Sequence, residues 1–558
     1  MSSISGVGGT SPIYSLENYK LTEQDIVTRL QQEEPVTSEW LLDFKTFLAS
    51  QDNTVLTKLH AWRYEKFGID LKTPLLYLAL EFDHPEVVRV ILSFAATNGQ
   101  LPQILDKPEC YKDEKLGSYN PLAISRDFDT INLLLDFAGT DINFHYPDQQ
   151  GYHPIACMAW DNFTNGVKAI LDHPSSQGRI SELLLTSYVL NIACGYGFDA
   201  IVNVVLDAAA RENIDPHILD PQGAYPLMRA SHKGHLNAVK AILNHPSSQS
   251  RIAELVQALN TSRGSSPVTV LCEAVYNGQF DVVNEILTHP SLKGVIPLLL
   301  SSRQNANKTT PFFLACGCGQ ANIVKLMLDV AGQDFDLHVP TDQRYPFSTA
   351  VVQGKVDVVR VILDHPHSKG RIKDFLQERN GPLRLTPLHT ACWKNKADMV
   401  NLLLDVAAVE GINLHITHRD NAYPVYTAVE YRAVDALRAL LNHPSLAGRL
   451  PSMLRDMNTD LHDYTPLHRA CMLKDVVLVN MLLAAGAPHD ALDRHGNFPH
   501  VLAQENQEVC SAIFYHLTGG EGNTHEFFAK LSEKLEFYKN ELKRKNADID
   551  WADLLSCH

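Results

Sequence analysis

The sequence has no long apolar run. No stretch reaches about 18 apolar residues without a charge, the length a helix needs to cross a bilayer, so no membrane span is expected. Positive charge is also short. The 48 Lys and Arg against 64 Asp and Glu leave a net charge of −16. Nucleic acid and anionic membranes are held by clustered Lys and Arg, so neither is an expected partner. The first twenty residues, MSSISGVGGTSPIYSLENYK, hold no basic patch followed by an apolar core, and no secretory leader of the usual kind is expected. Cysteines are few, ten in 558 residues, and scattered. That pattern reads as reduced thiols in a cytosolic compartment. Phosphate-binding loops, Ser-His-Asp elbows, kinase signatures and metalloprotease motifs are missing. The glycines of GGEGNTHEF, from Gly519, follow no strand and read as a linker. No cofactor and no metal are expected.

What the chain does contain is a pattern that returns. TPLHTACWKNKADMVNLLLDVA begins at Thr386, TPLHRACMLKDVVLVNMLLAAGA at Thr465, TPFFLACGCGQANIVKLMLDVAG at Thr310, YPLMRASHKGHLNAVKAIL at Tyr225 and TPLLYLALEFDHPEVVRVIL at Thr73. Looser copies begin near Asn120, His153, Tyr188, Thr269, Tyr345, Tyr423 and Phe498, giving twelve candidate units with starts 33 to 47 residues apart. Each unit reads as two helices. Thr386 can cap, Pro387 suits the first helical position, and Leu388 and Ala391 share a face. In the second helix Met399, Val400, Leu403 and Leu404 repeat at helical spacing. Neither helix is long enough to form a core, so each must stack on its neighbours.

A self-similar unit of this length marks a solenoid. The Thr-Pro-Leu-His-x-Ala opening, complete at Thr386–Ala391 and Thr465–Ala470, resembles the ankyrin repeat, and the resemblance runs from about Thr73 to Gly519. It implies an all-α fold, an ankyrin-repeat solenoid of about twelve helix-turn-helix units with helical caps at both ends. It also implies hairpins at DPQG (Asp220), TDQR (Thr341), RDN (Arg419) and DRHGN (Asp493), projecting to a concave side. His389 and His468 fill the motif's own histidine position, where the ring usually bonds nearby backbone.

Two kinds of unit alternate from about Asn120 to Tyr464. One ends its second helix as LLLD and runs on extended, as from Leu133 and Leu402. The other ends in His-Pro, at His173, His245, His289, His365 and His443. Proline stops the helix, Ser175 or its equivalents can cap the next segment, and Ile180, Leu183 and Leu184 predict an extra short helix. The His-Pro unit from Thr269 falls out of turn. The His-Pro rings sit at helix C-termini, where partial positive charge suits the dipole. The inserts also repeat Arg179, Arg251, Arg371 and Arg449, which read either as solvated residues or ligands of neighbouring helix ends, or as an anion-binding ridge.

Residues 1–18 read as disordered and 19–72 as a helical cap or module, with helices in LTEQDIVTRLQQEE (capped by Thr22), TSEWLLDFKTFLAS and NTVLTKLHAWRYEKF. Residues 73–519 form the array and 520–558 a helical tail, where Phe528, Leu531, Leu535, Tyr538 and Leu542 share one face. The plain reading of that tail is a terminal cap. Its Glu-rich sequence with Leu554 and Leu555 near the end also resembles tail signals of effectors exported by bacterial type IV secretion systems, among which ankyrin arrays are frequent.

Cys157, Cys194, Cys316, Cys392 and Cys471 each follow an alanine in a first helix, a recurrence that points to packing. Cys316-x-Cys318 lacks a second ligand pair, which argues against zinc. The informative positions follow the small residues of the first helices. In ankyrin arrays they face the concave groove, and here they hold Trp160, Tyr196, Tyr276, Trp393 and Tyr431. Aromatics at rigid exposed sites anchor partners, and the competing reading is packing between units. Gly195, Gly317, Val352 and Met472 interrupt the stripe. The function expected is a non-enzymatic monomeric scaffold or adaptor that binds a protein partner on the concave face, cytoplasmic or, as an effector, delivered to a host cell's cytoplasm. The alternatives are an enzyme or enzyme regulator with its site in the N-terminal module or an irregular repeat, and a eukaryotic structural adaptor.

Overall fold

The structure, a computed structural model, describes residues 21–32, 35–50, 63–66, 69–72, 75–105, 112–113, 117–118, 120–140, 145–147, 151–260, 268–303, 309–331, 335–337, 344–418, 421–458, 463–503 and 506–518, with Ala529 and Glu533. The expected disordered terminus, the hairpins at Thr341 and Arg419 in most of their length, and nearly all of the tail lie outside these residues. The fold is all-α, as the sequence predicts. Its strands among the described residues are three short antiparallel ladders. The chain divides into two compact units, residues 1–273 and 274–558, and each is a stack of helix pairs.

In the first unit the pairs are Leu75–Glu81 with Pro85–Thr97, Pro121–Ile124 with Phe128–Ala138, Pro154–Trp160 with Thr164–Asp172, Val189–Tyr196 with Asp199–Arg211, and Pro226–Lys233 with Leu236–Asn244. First helices pack on first helices and second on second, which makes two layers. Ahead of them Glu23–Leu30 and Ser38–Ser50 lie against the opening pair. Thr22 and Asp25 close a reciprocal capping box on the first of these, and His84 Nε2 donates to the carbonyl of Leu30 at 2.8 Å. The third helix expected in NTVLTKLHAWRYEKF is corrected at its end: Arg63–Lys66 is a strand paired with Ile69–Lys72.

In the second unit the pairs are Val270–Tyr276 (which begins before the division) with Phe280–Thr288, Pro311–Cys318 with Ala321–Val330, Pro346–Gln353 with Val356–Asp364, Pro387–Trp393 with Ala397–Val409, Pro424–Glu430 with Val434–Asn442, Pro466–Met472 with Val476–Ala484, and Pro499–Leu502 with Gln507–Thr518. Met399, Val400, Leu403 and Leu404 are buried as their spacing predicts. Thr310, Thr386 and Thr465 cap their helices through the N–H three residues on, and a proline at the next position gives up no bond the helix could have made.

Seven or eight residues later the first helix stops in the same way in most pairs. A fully buried small residue, Ala391 for instance, accepts the N–H of Lys396 at 2.9 Å, and Asn395 between them has φ 52°. Ala428 and Ala433, and Ala470 and Asp475, repeat the bond at 2.8 and 3.2 Å around Arg432 and Lys474. This is the left-handed helix stop. It turns the chain straight into the second helix and keeps the pair antiparallel.

The inserts of the His-Pro units are present, in two pieces. A 3-10 turn, Pro174–Ser176 in the first, precedes the short helix Ile180–Thr186. The expected capping serine is corrected. The cap is the histidine ring, because Nδ1 of His173 accepts the backbone N–H of Ser175 at 3.2 Å. That bond leaves the ring proton on Nε2, which donates to Asp136 of the preceding unit at 3.1 Å. The same link joins His245 to Asp207 at 3.2 Å, His365 to Asp329 at 3.0 Å and His443 to Asp405 at 3.3 Å. The aspartates are the last letters of the LLLD-type endings, so the two unit types are complementary halves of one contact. The rings stand at the C-caps of their helices, as expected, and the aspartate gives four of them a specific partner that the dipole account did not name.

A second set of rings works deeper. His389 Nε2 donates across to the carbonyl of Ala422 at 3.0 Å while Nδ1 takes the hydroxyl proton of Thr386 at 2.7 Å. His468 does the same between Thr465 and Asn497. Asn191, at the equivalent position, donates to the carbonyl of Ala224 at 2.9 Å. His145 and His217, in the extended stretches, reach Ser176 and Ser248 of the next insert.

His389→Ala strands a buried carbonyl and opens a void, so it is expected to cost about 2–4 kcal/mol. His389→Asn is expected to retain part of that, as Asn191 does in its own unit, and urea unfolding of the three proteins compares them. Burial holds the imidazole of His389 down to about 3, and those of His145, His217 and His500 down to about 4. An unfolded histidine titrates near 6.5. Below that value the unfolded chain binds protons that the folded one refuses, so stability is complete above pH ~6.5 and is lost as pH falls from ~6.5 toward ~4. Thermal melts at pH 7, 5.5 and 4 are expected to show a falling midpoint, with a shallower slope in His389→Asn.

A candidate docking face on the ends of the first helices

The left-handed stop fixes where the five singled-out aromatics stand. Trp160, Tyr276 and Trp393 lie two residues before the left-handed residue of their pair, and Tyr196 and Tyr431 one before it. They therefore occupy two neighbouring positions, not one, which corrects the equivalence read from spacing. Both positions sit at the C-terminal end of a first helix, where the backbone is rigid.

In the first unit Trp160 is half-buried and meets the edge of Tyr152 at 4.4 Å. Of the five it is the one that packing holds. Tyr196 is 58% exposed and stacks on Phe198 at 5.7 Å. In the second unit Tyr276 is 66% exposed. Trp393 and Tyr431, 37% and 49% exposed, face each other at 5.9 Å from consecutive pairs. Lys394 lies over the Trp393 ring, its Nζ 3.9 Å from the centroid.

The strip continues past the aromatics. Glu430 and Arg469 form a two-pronged ion pair, with Nη2 to Oε1 at 2.6 Å, and Arg469 also touches the sulfur of Met472. Met472, which interrupts the aromatic stripe in the sequence, is 40% exposed and extends the same surface. Arg432 and Lys474 stand exposed in the left-handed slots. The aromatic pattern alone did not reveal these cations. Counting four residues on from the buried alanine would have found them.

The other chemistry-bearing residues have structural employment. Cys194, Cys316, Cys392 and Cys471 are buried and follow the stop alanine, and burial pushes their thiols up, away from the reactive thiolate. Cys272, two residues before its alanine, is pushed up to about 12 for the same reason. Cys157 does not share their position. It stands three residues after Pro154, where the others stand five after the equivalent site, and it is half-buried. Cys318 is exposed while Cys316 is enclosed. Among the described residues no group of three His, Cys, Asp or Glu is placed to hold a metal ion.

The insert arginines reach back to the preceding unit. Arg371 meets Asp336 at 3.3 Å, Arg449 meets Asn413 at 2.9 Å, and Arg251 binds both Asp215 and Glu254. The partners of these three are side chains, so their guanidinium groups are engaged and not held open as an anion-binding ridge. The displaced titrations are spread along the array; burial displaces the cysteines and histidines, and side-chain hydrogen bonds displace Asp25, Arg251, Glu254 and Asp329. A cleft of about 260 Å³ lies between Leu388, Leu404, Pro424, Leu440, Leu446 and Met453, with Arg449 and His415 on its wall. Its lining is part polar, part apolar, and no carboxylate lies among the lining residues. Among the described residues no helix is long and apolar enough to cross a membrane.

The sequence matches the family model described as ankyrin repeats (3 copies) over residues 190–295, 271–374 and 388–493. Among curated proteins, Ankyrin repeat protein nuc-2 of Neurospora crassa is 30% identical over 206 residues, 36% of this chain and 17% of its own length. The B-cell lymphoma 3 protein of Homo sapiens is 31% identical over 166 residues, 29% of this chain and 34% of its own. The chain thus spans about a third or less of the length of these curated relatives. Among solved structures, the ankyrin repeat domain of Bcl-3, titled a unique member of the IkappaB protein family, aligns with TM-score 0.34 and 21% identity over 43% of this chain and 95% of that one. The human ASB11 ankyrin repeat domain aligns with TM-score 0.34 and 19% identity over 45% and 98%.

Proposed function

The chain belongs to the ankyrin-repeat family, and from that premise we propose that it is a non-enzymatic monomeric scaffold or adaptor holding a protein partner on the ends of its first helices, the concave face of such arrays. Repeats of this family generally mediate protein–protein interaction. The observation that carries the reading is the Trp393–Tyr431 pair: two exposed aromatic rings 5.9 Å apart on rigid backbone, with a lysine over one of them. Exposed aromatics on fixed frames lose little entropy on binding and supply much of an interface's energy. Tyr196 and Tyr276 serve the same purpose in their own units, and Trp160 is held by Tyr152.

The proposal extends to the cell. The protein is a bacterial effector, residues 520–558 direct its export by a type IV system, and its partner is a host protein met in the host cytoplasm. What supports this is the tail sequence, acidic and amphipathic with Leu554 and Leu555 near its end.

Partner capture by full-length protein is expected to fall at least about tenfold when Trp393 and Tyr431 are both changed to alanine, the loss typical of removing two anchors. Undiminished capture by a variant with native circular dichroism removes the assignment. A reporter fused to residues 520–558 is expected to reach the host cytoplasm in a translocation assay, and a reporter retained in the bacterium counts against export.

A further inference from the structure

We propose that the chain's own last residues, 546–558, dock on the Trp393–Tyr431 face and occupy it until a partner displaces them. This rests on the reading of that face as a docking surface and adds how it is regulated.

The face is contiguous over three helix pairs. Trp393 meets Tyr431 at 5.9 Å, the Glu430–Arg469 ion pair ties the second pair to the third, and Arg432 donates to the carbonyl of Leu473 at 3.0 Å. Its charge runs against that of the molecule. The chain carries −16 overall, yet the exposed side chains around the aromatics are Lys394, Lys396, Arg432 and Lys474. The nearby acids are mostly engaged: Glu430 by Arg469, and Asp435 by Arg438 and Asn395, both at 3.2 Å. Asp398, exposed at the start of the second helix, is the exception.

The segment NADIDWADLLSCH is its complement. Asp548, Asp550 and Asp553 surround Trp551, with Leu554 and Leu555 beyond, and residues 546–558 include neither Lys nor Arg. An indole laid against Trp393 and Tyr431 sits where Lys394 already favours a π face, and the aspartates lie within reach of the remaining lysines. Length permits it. The helix Gln507–Thr518 ends in the same compact unit as the face. Residues 519 to 545, 27 in number, span up to about 90 Å when extended at about 3.3 Å each. Stacked helices lie only about 10 Å apart. A tether of this kind gives an effective concentration of the order of 1 mM, so even weak affinity keeps the site filled.

Carbodiimide cross-linking of dilute full-length protein, as a mixture of isotope-labelled and unlabelled chains, tests this directly. Amide links from Lys394, Lys396 or Lys474 to Asp548, Asp550 or Asp553 within one chain are expected. A fluorescein-labelled synthetic peptide of residues 546–558 is expected to bind the full-length Trp551→Ala protein at least about tenfold more tightly than wild type, whose site is filled. Adding Trp393→Ala and Tyr431→Ala is expected to abolish that binding while circular dichroism stays native. No links at these lysines, links only between chains (a second copy as occupant), or a peptide affinity indifferent to Trp551→Ala each overturn the proposal. Partner capture that still needs Trp393 and Tyr431 in the absence of such links leaves the docking face standing and removes only the tail. Links without any effect of the face variants on partner capture do the reverse.

Discussion

A helix of seven or eight residues is too short to persist in water, and most first helices here are no longer than that. The rest of the architecture depends on how such helices find support. The buried alanine at the stop lets the second helix come close, and the next pair covers what remains apolar. What apolar contact cannot specify is register, since one greasy stripe slides on another at little cost. The polar links supply it. His389 reaching the Ala422 carbonyl, or His443 reaching Asp405, is satisfied in one register only, and a buried group left unsatisfied is costly.

These links also explain why the array is built in twos. The His-Pro ring needs an aspartate on the preceding helix, and the LLLD-type unit provides it. Where a His-Pro unit comes after another of its kind, the preceding helix ends in Asn244 in place of the aspartate. That unit begins at Thr269, beside the point where the chain divides into its two compact units. In three inserts the arginine just before the short helix, Arg251, Arg371 or Arg449, reaches back to the extended segment of the preceding unit and fastens the two together.

Much of this was legible in the sequence. The Thr-Pro opening, the later helical spacing and the His-Pro stop each rest on local rules, and local rules act the same way in every context. The short helix after His173 was legible for that reason. Its cap was not, because Ser175 is the usual capping residue and only the three-dimensional path brings the ring of His173 over the Ser175 N–H. The strand at Arg63–Lys66 was hidden by helix-forming residues and depends on pairing with Ile69–Lys72. The candidate face was half legible. Exposed aromatics announce themselves, but whether Tyr431 stands level with Trp393 depends on where each helix unwinds. The cations beside them look like ordinary surface charge until the left-handed stop places them in one strip.

That stop carries a tension of its own. In five pairs the left-handed slot is held by glycine, as at Gly197 and Gly354, but beside the docking face it is held by Asn395, Arg432 and Lys474. A side chain in that conformation costs on the order of 1 kcal/mol, so each of these three pairs is less stable than its backbone allows. Relaxing the slot at Arg432 or Lys474 with glycine would also erase a charge from the face. Sturdiness and recognition compete there for the same residue, and the molecule gives up some of the first for the second.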